Sequence, residues 1–495
     1  MRKPIAPSRS AVRVLPEGPE TFFRLSPAGQ VKAQCFAVRR GEIKDRIDPK
    51  FVLYGGHQTL KGLTIAALGN LVVSEPEYGS AKRAIPMKSP DDVKYIRITD
   101  FGDDGIAPGH EFVTAEEIEN KYRLEENDVL FARSGATAGK TFIYTKDIGP
   151  AIFAGYCIRF RFNPKKALPW YVYFYTKTPR YQAWVRSMQR PAGQPNINKE
   201  EFKSFTIPVV APDLQAKLVE ELQAARNARY NKLAQADALI KGIDSFVLGE
   251  MGLETPKPDG RAVFAVRLYE LKKRCEENAT RLDPHYNTPN FWRLIREIKE
   301  IQSESLGKVA RFSDFQWNPG TCNSEFFQYI EIAGIDVLTG DITATTTPVA
   351  EAPSRARMLI KTGDILVSLT RPHRGAIGVV PKNLDASVAS TGFAVISEIK
   401  DKRFSPDYLL AILRTSICLQ QMLQRSSGGN YPAITEPELK QITVPLTNEN
   451  VQKRIVSEIA NRKEQVQRIR AEAAALWAKA IENFEGKLLF QGAKS

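Results

Sequence analysis

The chain has 495 residues, 43% hydrophobic and 25% charged, which is an ordinary globular balance with apolar material for more than one core. The formal net charge of +14 favours a polyanionic partner, because Lys and Arg release counterions from phosphates, although charge alone also serves solubility. No run of about 18 apolar residues occurs to cross a membrane. Five scattered cysteines (Cys35, Cys157, Cys275, Cys322, Cys418) and four scattered histidines (His57, His110, His285, His373) offer neither a disulfide frame nor metal-ligand spacing. The expectation is a cytoplasmic protein with reduced thiols, no metal, no cofactor and no membrane attachment.

Residues 1–35 read as an N-terminal arm. The arm has no apolar stretch after its positive charges, so no secretory signal is expected. Residues 36–210 read as a mixed α+β globule. Strand-like runs at 93–98, 128–132 and 156–162 are rich in β-branched and aromatic residues and bounded by turn formers, and a helical stretch follows over 170–189. Residues 211–263 open at Pro212-Asp213 with a segment free of Gly and Pro until Gly242. Residues 264–446 return to the first plan, with strands at 327–332, 364–369 and 393–396 and a helical stretch over 406–424. Residues 447–485 form a second long helix, from Asn448 to about Asn483, and 486–495 are a tail.

The return is a duplication. Phe36-Ala37-Val38-Arg39 recurs as Phe264-Ala265-Val266-Arg267, and Arg46-Ile47-Asp48-Pro49 as Arg281-Leu282-Asp283-Pro284. Leu68-Gly69 answers Leu306-Gly307, and Tyr95-Ile96-Arg97-Ile98 answers Tyr329-Ile330-Glu331-Ile332. Asp128-Val129-Leu130-Phe131 matches Asp364-Ile365-Leu366-Val367, Pro195-Asn196-Ile197 matches Pro432-Ala433-Ile434, and Gln215 matches Gln452. The offset stays near 235 from Arg46 onward and settles at 237 after Gly155. Chance does not supply such a series in one order. Units of about 20–50 residues make solenoids, so a period this long means a duplicated domain.

In the second long segment Ile459, Val466, Ala473 and Ala480 lie seven apart, and Ile455, Ile469 and Leu476 fill a companion seam broken by Arg462. The first repeats the frame with Leu222, Ala236 and Ile243 plus Leu218, Ala225 and Leu239, broken by Arg229 and Lys232. Such seams belong to helices that pair lengthwise, or to a helix lying on its own core. Each segment would span about 45 Å at 1.5 Å per residue, more than one small domain needs, which favours pairing. The expected fold is α+β: two similar mixed globules separated by long antiparallel coiled-coil-like helices, related by a pseudo-twofold internal repeat. Two globules on a spacer suit two sites on one duplex, where a turn is about 34 Å. The loops at 101–114 and 336–348 share no pattern, so the half-sites are expected to differ.

Taken in order, these segments resemble the specificity subunit of type I restriction–modification enzymes. The resemblance is carried by Asp128-Val129-Leu130-Phe131-Ala132-Arg133-Ser134-Gly135 through Lys140. It is also carried by Gln194-Pro195-Asn196-Ile197 with Phe205-Thr206-Ile207-Pro208-Val209, and by Gln215 ahead of a long Glu/Arg/Ala-rich helix. It covers most of 36–485 in two copies. It implies target-recognition domains at 36–210 and 264–446, helical spacers at 211–263 and 447–485, and double-stranded DNA as ligand. It further implies two adenine methyltransferase (modification) subunits and restriction/translocase subunits as partners. The longer arm before Phe36 departs from the family plan, as does Thr370-Arg371-Pro372-His373-Arg374-Gly375, which lacks the Gly-Lys ending of the first copy.

Chemistry on this chain itself is not expected. Gly135-Ala136-Thr137-Ala138-Gly139-Lys140-Thr141 has three residues between its glycines where a phosphate loop needs four. Pro90-Asp91-Asp92-Val93-Lys94 lacks a partner acid for a nuclease metal site, and reads as a charged turn. Competing readings are a stand-alone Mg/ATP-dependent nuclease or NTPase, and a coiled-coil interaction scaffold. Candidate DNA contacts are Arg133, Ser134, Lys140, Arg190, Gln194 and Asn196 in the first copy, with Arg371, His373, Arg374, Arg425, Asn430 and Tyr431 in the second. Any of them could instead hold phosphate, which positions without specifying.

Overall fold

The computed structural model describes residues 63–107, 110–188, 195–254, 263–271, 281, 283–429 and 431–492. The arm 1–35 and the first matches at Phe36 and Arg46 lie outside these. The chain forms two compact units. The first takes the described residues up to Ala228 with those from Ala475 on, and the second runs from Arg229 to Ala474.

The first unit contains β1 (Ile65–Ala67), β2 (Glu77–Tyr78), β3 (Ala84–Pro86), β4 (Lys94–Ile96), β5 (Val113–Ala115), β6 (Val129–Ala132), β7 (Thr141–Ile143), β8 (Ala151–Phe153), β9 (Cys157–Phe160) and β10 (Thr206–Pro208). Its helices are α1 (Pro169–Tyr175), α2 (Pro179–Met188), α3 (Lys199–Ser204) and the start of α4 (Pro212–Glu250). The central sheet has the order β2-β9-β6-β7, while β4 and β8 pair in parallel. All four β6 residues are buried. Alternation along the strand sends Val129 and Phe131 into the core shared with the helices, and Leu130 and Ala132 into a second core on the other face.

The second unit contains β11 (Ser303–Ser305), β12 (Ala310–Phe312), β13 (Phe326–Ile330), β14 (Thr345–Pro348), β15 (Ala356–Leu359), β16 (Ile365–Ser368), β17 (Ile377–Val379), β18 (Val388–Ser390), β19 (Phe393–Ile399) and β20 (Thr443–Pro445). Its helices are α5 (Pro289–Glu300), α6 (Leu306–Val309), α7 (Pro406–Leu413), α8 (Ser416–Arg425), α9 (Glu436–Leu439) and most of α10 (Glu449–Gly492). Here β12-β19-β16-β17 form one sheet, and β14-β13-β18-β15 form another in which β13 and β18 run parallel. Ile365 and Val367 face the helical core, and Leu366 faces the second core.

The duplication extends to register. Val129 opposes Phe160 and Ile143 as Ile365 opposes Ile396 and Val379. Ile65 opposes Pro208 as Ser303 opposes Pro445. Gly69 and Gly307 occupy matching close approaches, where an added Cβ would stand 3.1 Å from the Lys203 Cβ and 3.0 Å from the Lys440 Cβ. Buried Gln215 accepts from the Leu168 N–H (2.9 Å) and donates to the Val210 carbonyl (2.8 Å), pinning the start of α1 to the entry of α4. Gln452 does the same for Ser405 (3.1 Å) and Thr447 (2.9 Å).

The helical stretches at 170–189 and 406–424 are each two helices rather than one. Thr178 and Thr415 fold their hydroxyls back onto the carbonyls of Tyr175 and Ile412, and Pro179 starts α2 with no N–H to lose. The long helices exceed their sequence limits, α4 running through Gly242 to Glu250 and α10 reaching Gly492. At 1.5 Å per residue they measure about 58 and 66 Å. Within the second unit they pair antiparallel, Lys232 with Glu472 (2.7 Å), Asp237 with Arg470 (3.3 Å) and Glu250 with Arg454 (2.7 Å). Ala236, Ile240 and Val466 form the buried seam there, flanked by Leu239, Ile243 and Ile469. Ile455 is fully buried and Ala473 also lies inside, while Ile459 packs at the edge of the helical core. In the first unit Leu218 and Leu222 are buried with Ile481 and Phe484, and Ala225 and Leu476 are half-buried. Two of the seam breakers have partners across it. Arg462 donates to the Gly242 carbonyl (2.8 Å) and pairs with Glu458 (2.8 Å), and Lys232 reaches Glu472.

Candidate nucleic-acid interface

The strand β6 leaves the buried sheet at Arg133 and turns over Gly135–Thr137, a short 3-10 turn. The incoming segment 195–197 closes on it. The Ile197 N–H donates to the Arg133 carbonyl (2.8 Å), the Gly135 N–H donates to the Pro195 carbonyl (3.0 Å), and Ser134 bridges Asn196. The second unit builds the same junction from β16. There Ile434 donates to the Leu369 carbonyl (2.9 Å), Arg371 donates to the Pro432 carbonyl (2.7 Å), and Thr370 bridges Ala433. Because each turn is fastened at both ends, side chains leaving it start from a fixed backbone.

The two junctions carry different side chains. In the first, the Arg133 guanidinium lies 4.8 Å above the Tyr78 ring and its Nε is 3.4 Å from the exposed Asn196 Oδ1. Ser134 is buried. Lys140 is paired with the highly exposed Asp103 at 3.1 Å. In the second, the Arg371 guanidinium lies 4.2 Å above the exposed Tyr431 ring, and Arg374 is exposed. His373 is half-buried, and its Nδ1 has no hydrogen-bond partner. Burial and then the neighbouring Arg374 and Arg371 hold this imidazole below its ordinary range, so it is neutral at pH 7.

Arg425 is placed apart from these. It is 5% exposed, bonds Glu438 at 2.7 Å and stacks toward Tyr286. It braces α8 against α9 and cannot present its fork to a ligand without breaking that pair. Arg190, Gln194 and Asn430 lie outside the described residues. Tyr78 and Tyr156 were not singled out in the sequence, yet both stand beside Arg133. Tyr156 is 63% exposed, and its carbonyl accepts the Arg133 N–H at 3.0 Å. The available signal is a tyrosine next to glycine, in Tyr78-Gly79 and Gly155-Tyr156.

The Gly135 turn leads into β7 and not into a helix, unlike a phosphate loop, which opens one. Asp92 accepts from the N–H groups of Lys88 (2.7 Å) and Ser89 (3.0 Å), a turn-closing role. Among the described residues no three His, Cys, Asp or Glu side chains group as metal ligands. No helix among them is long and apolar enough to cross a membrane.

The family model for the type I restriction modification DNA specificity domain matches residues 80–235 and again 321–467. The MjaVIII type I restriction enzyme specificity subunit of Methanocaldococcus jannaschii is 23% identical over 358 residues, covering 72% of this chain and 76% of that protein. The HindI specificity subunit of Haemophilus influenzae is 29% identical over 167 residues, 32% of this chain and 34% of its own. A solved chain from work on assembly and conformational transition of the type I R-M system aligns with 87% of this chain and 97% of its own length, at 18% identity and a TM-score of 0.44. The two matched segments fall one in each repeat, take in both turn junctions and together span more than half of the sequence, so this chain belongs to the type I restriction–modification DNA specificity family.

Proposed function

We propose that the chain reads an asymmetric, two-part sequence in double-stranded DNA, one half-site per globule, and directs partner subunits to it. The partners are two adenine methyltransferase subunits and restriction/translocase subunits, which supply the chemistry in the cytoplasm. The carrying observation is one fastened turn built twice with different side chains, Arg133, Lys140 and Asn196 in one copy and Arg371, Arg374 and Tyr431 in the other. A shared frame with unlike readers gives related recognition of unlike sequences. The net charge of +14 supplies the nonspecific attraction to phosphate.

The test is co-purification with a methyltransferase chain, followed by mapping of methylated adenines. A split motif with two different halves is expected. One continuous motif, or no partner, would count against the reading. Exchange of residues 281–445 for another domain of the family is expected to alter one half only. Inserting whole heptads in both long helices is expected to change the gap and leave the halves alone.

A further inference from the structure

Arg371 stands where the first repeat has Gly135. Both sit in the left-handed region, Gly135 at φ +75° and Arg371 at φ +49°. The turns around them match: the Ala138 N–H donates to the Gly135 carbonyl and the Arg374 N–H to the Arg371 carbonyl, each at 3.0 Å. Glycine meets this backbone demand at no steric cost, whereas an L-residue with a Cβ does not. The second repeat nevertheless keeps arginine there, with Pro372 beside it. Its guanidinium rests 4.2 Å over the ring of Tyr431, which is 69% exposed and so is not held for the core. Stacking fixes the plane of the fork before any ligand arrives, which reduces the ordering cost of a directional contact. A phosphate needs only positive charge within reach. A flat fork held in one plane suits two parallel acceptors on one edge, as guanine O6 and N7 present in the major groove.

We infer that Arg371, held by Tyr431, reads a guanine of the second half-site. This deepens the proposed function and rests on it. The turn of the first repeat has glycine at the equivalent point, so this contact belongs to one half of the target.

The experiment uses the full chain in the complex in which it purifies. Motifs are selected from randomised duplexes, and affinities and salt dependence are then measured for native, Arg371→Gly and Arg371→Lys forms. Arg371→Gly restores the residue of the first repeat, so its melting temperature is expected to be no lower than native. One guanine in one half should become any base, the other half should stay unchanged, and Kd on the native target should rise about 5- to 150-fold. Arg371→Lys should lose the same guanine, because charge is kept but the fork is not. An even loss on all sequences with a shallower salt dependence would make Arg371 a phosphate contact and overturn the inference, as would an unchanged motif. A native complex that selects no split motif overturns the functional reading itself, and this inference with it.

Discussion

The Nε of Arg226 lies 3.0 Å from each carboxylate oxygen of Asp104. Asp104 sits in a loop that shares no pattern with its counterpart in the other repeat, and Arg226 sits on α4. The Tyr173 hydroxyl adds a third bond to Asp104 at 2.8 Å, and the Gly105 N–H donates to that hydroxyl at 3.2 Å. The second unit fastens its own divergent loop from a different place, the end of α7, where Arg414 donates to the carbonyls of Val337 (3.0 Å) and Leu338 (2.8 Å). The loops differ in sequence, yet each is held to the helices by a basic side chain.

The Asp104 side chain is 1% exposed, so neutralising it removes the charge that Arg226 faces. Asp104→Asn is expected to lower the stability of the first unit by about 3 kcal/mol, the usual scale for stripping one partner from a buried pair. It should also open the 101–107 loop to protease. Thermal unfolding and limited proteolysis check both. An unchanged melting temperature with a protected loop would show that Arg226 does not hold it.

Gln215 satisfies the Leu168 N–H and the Val210 carbonyl, and Gln452 satisfies the Ser405 N–H and the carbonyls of Thr447 and Arg403. Leucine in their place fills the volume and removes the partner of two groups at Gln215 and of three at Gln452. Each of Gln215→Leu and Gln452→Leu is therefore expected to cost roughly 2–4 kcal/mol, because these part-buried groups fall in the lower half of the range of about 1–3 kcal/mol per unsatisfied group. Urea denaturation should show both variants shifted, Gln452→Leu at least as far as Gln215→Leu, because Gln452 also holds the Arg403 carbonyl. A large effect at one site and none at the other would contradict the equivalence.

Burial holds His373 below its ordinary pKa of about 6.5, so the folded chain takes up its proton later on acidification than the unfolded chain does. The neutral imidazole's contribution is complete above the unfolded value and is lost as pH falls from about 6.5 toward the folded value. His373→Asn should flatten the stability profile in that window and leave it unchanged at pH 8. An NMR titration midpoint for this ring at or above 6.5 would refute the assignment.

The repeat was legible because it rests on backbone demands. Leu68-Gly69, Asp128 and Gln215 recur because each meets a close approach, a turn or a buried N–H that both copies share. Asp128 and Asp364 show this, accepting from the N–H groups of Glu125 (2.9 Å) and Lys361 (2.8 Å). Thr178-Pro179 marks the break between α1 and α2 in the sequence, whereas the matching break at Arg414-Thr415 has no proline to mark it. The long helices read short because Gly242 counts as a stop, whereas here its carbonyl is capped by Arg462. For the interface, composition marks arginines but not their surroundings. Arg425 and Arg371 look alike in the sequence, and only packing separates the arginine tied to Glu438 from the one laid on an exposed tyrosine.

Arg133 gives the matching prediction for the first half-site. Its guanidinium is oriented by Tyr78 and Asn196, and its backbone is locked by Ile197 and Tyr156. Removing the side chain beyond Cβ leaves those backbone bonds in place, so Arg133→Ala should fold normally. If Arg133 touches a base edge, the variant should lose about 1–3 kcal/mol of discrimination at one position of the first half-site. The half-site read by Arg371 should be untouched, because each arginine stands on its own turn. Tyr78→Phe removes only the hydroxyl, which accepts from the Lys199 N–H at 3.3 Å, and keeps the ring under the guanidinium, so it should preserve the motif. Tyr78→Ala should weaken binding at that same position. Selection of bound duplexes by the three variants, scored half by half, separates these outcomes, and a change in both halves from Arg133→Ala would refute independent reading by the two units.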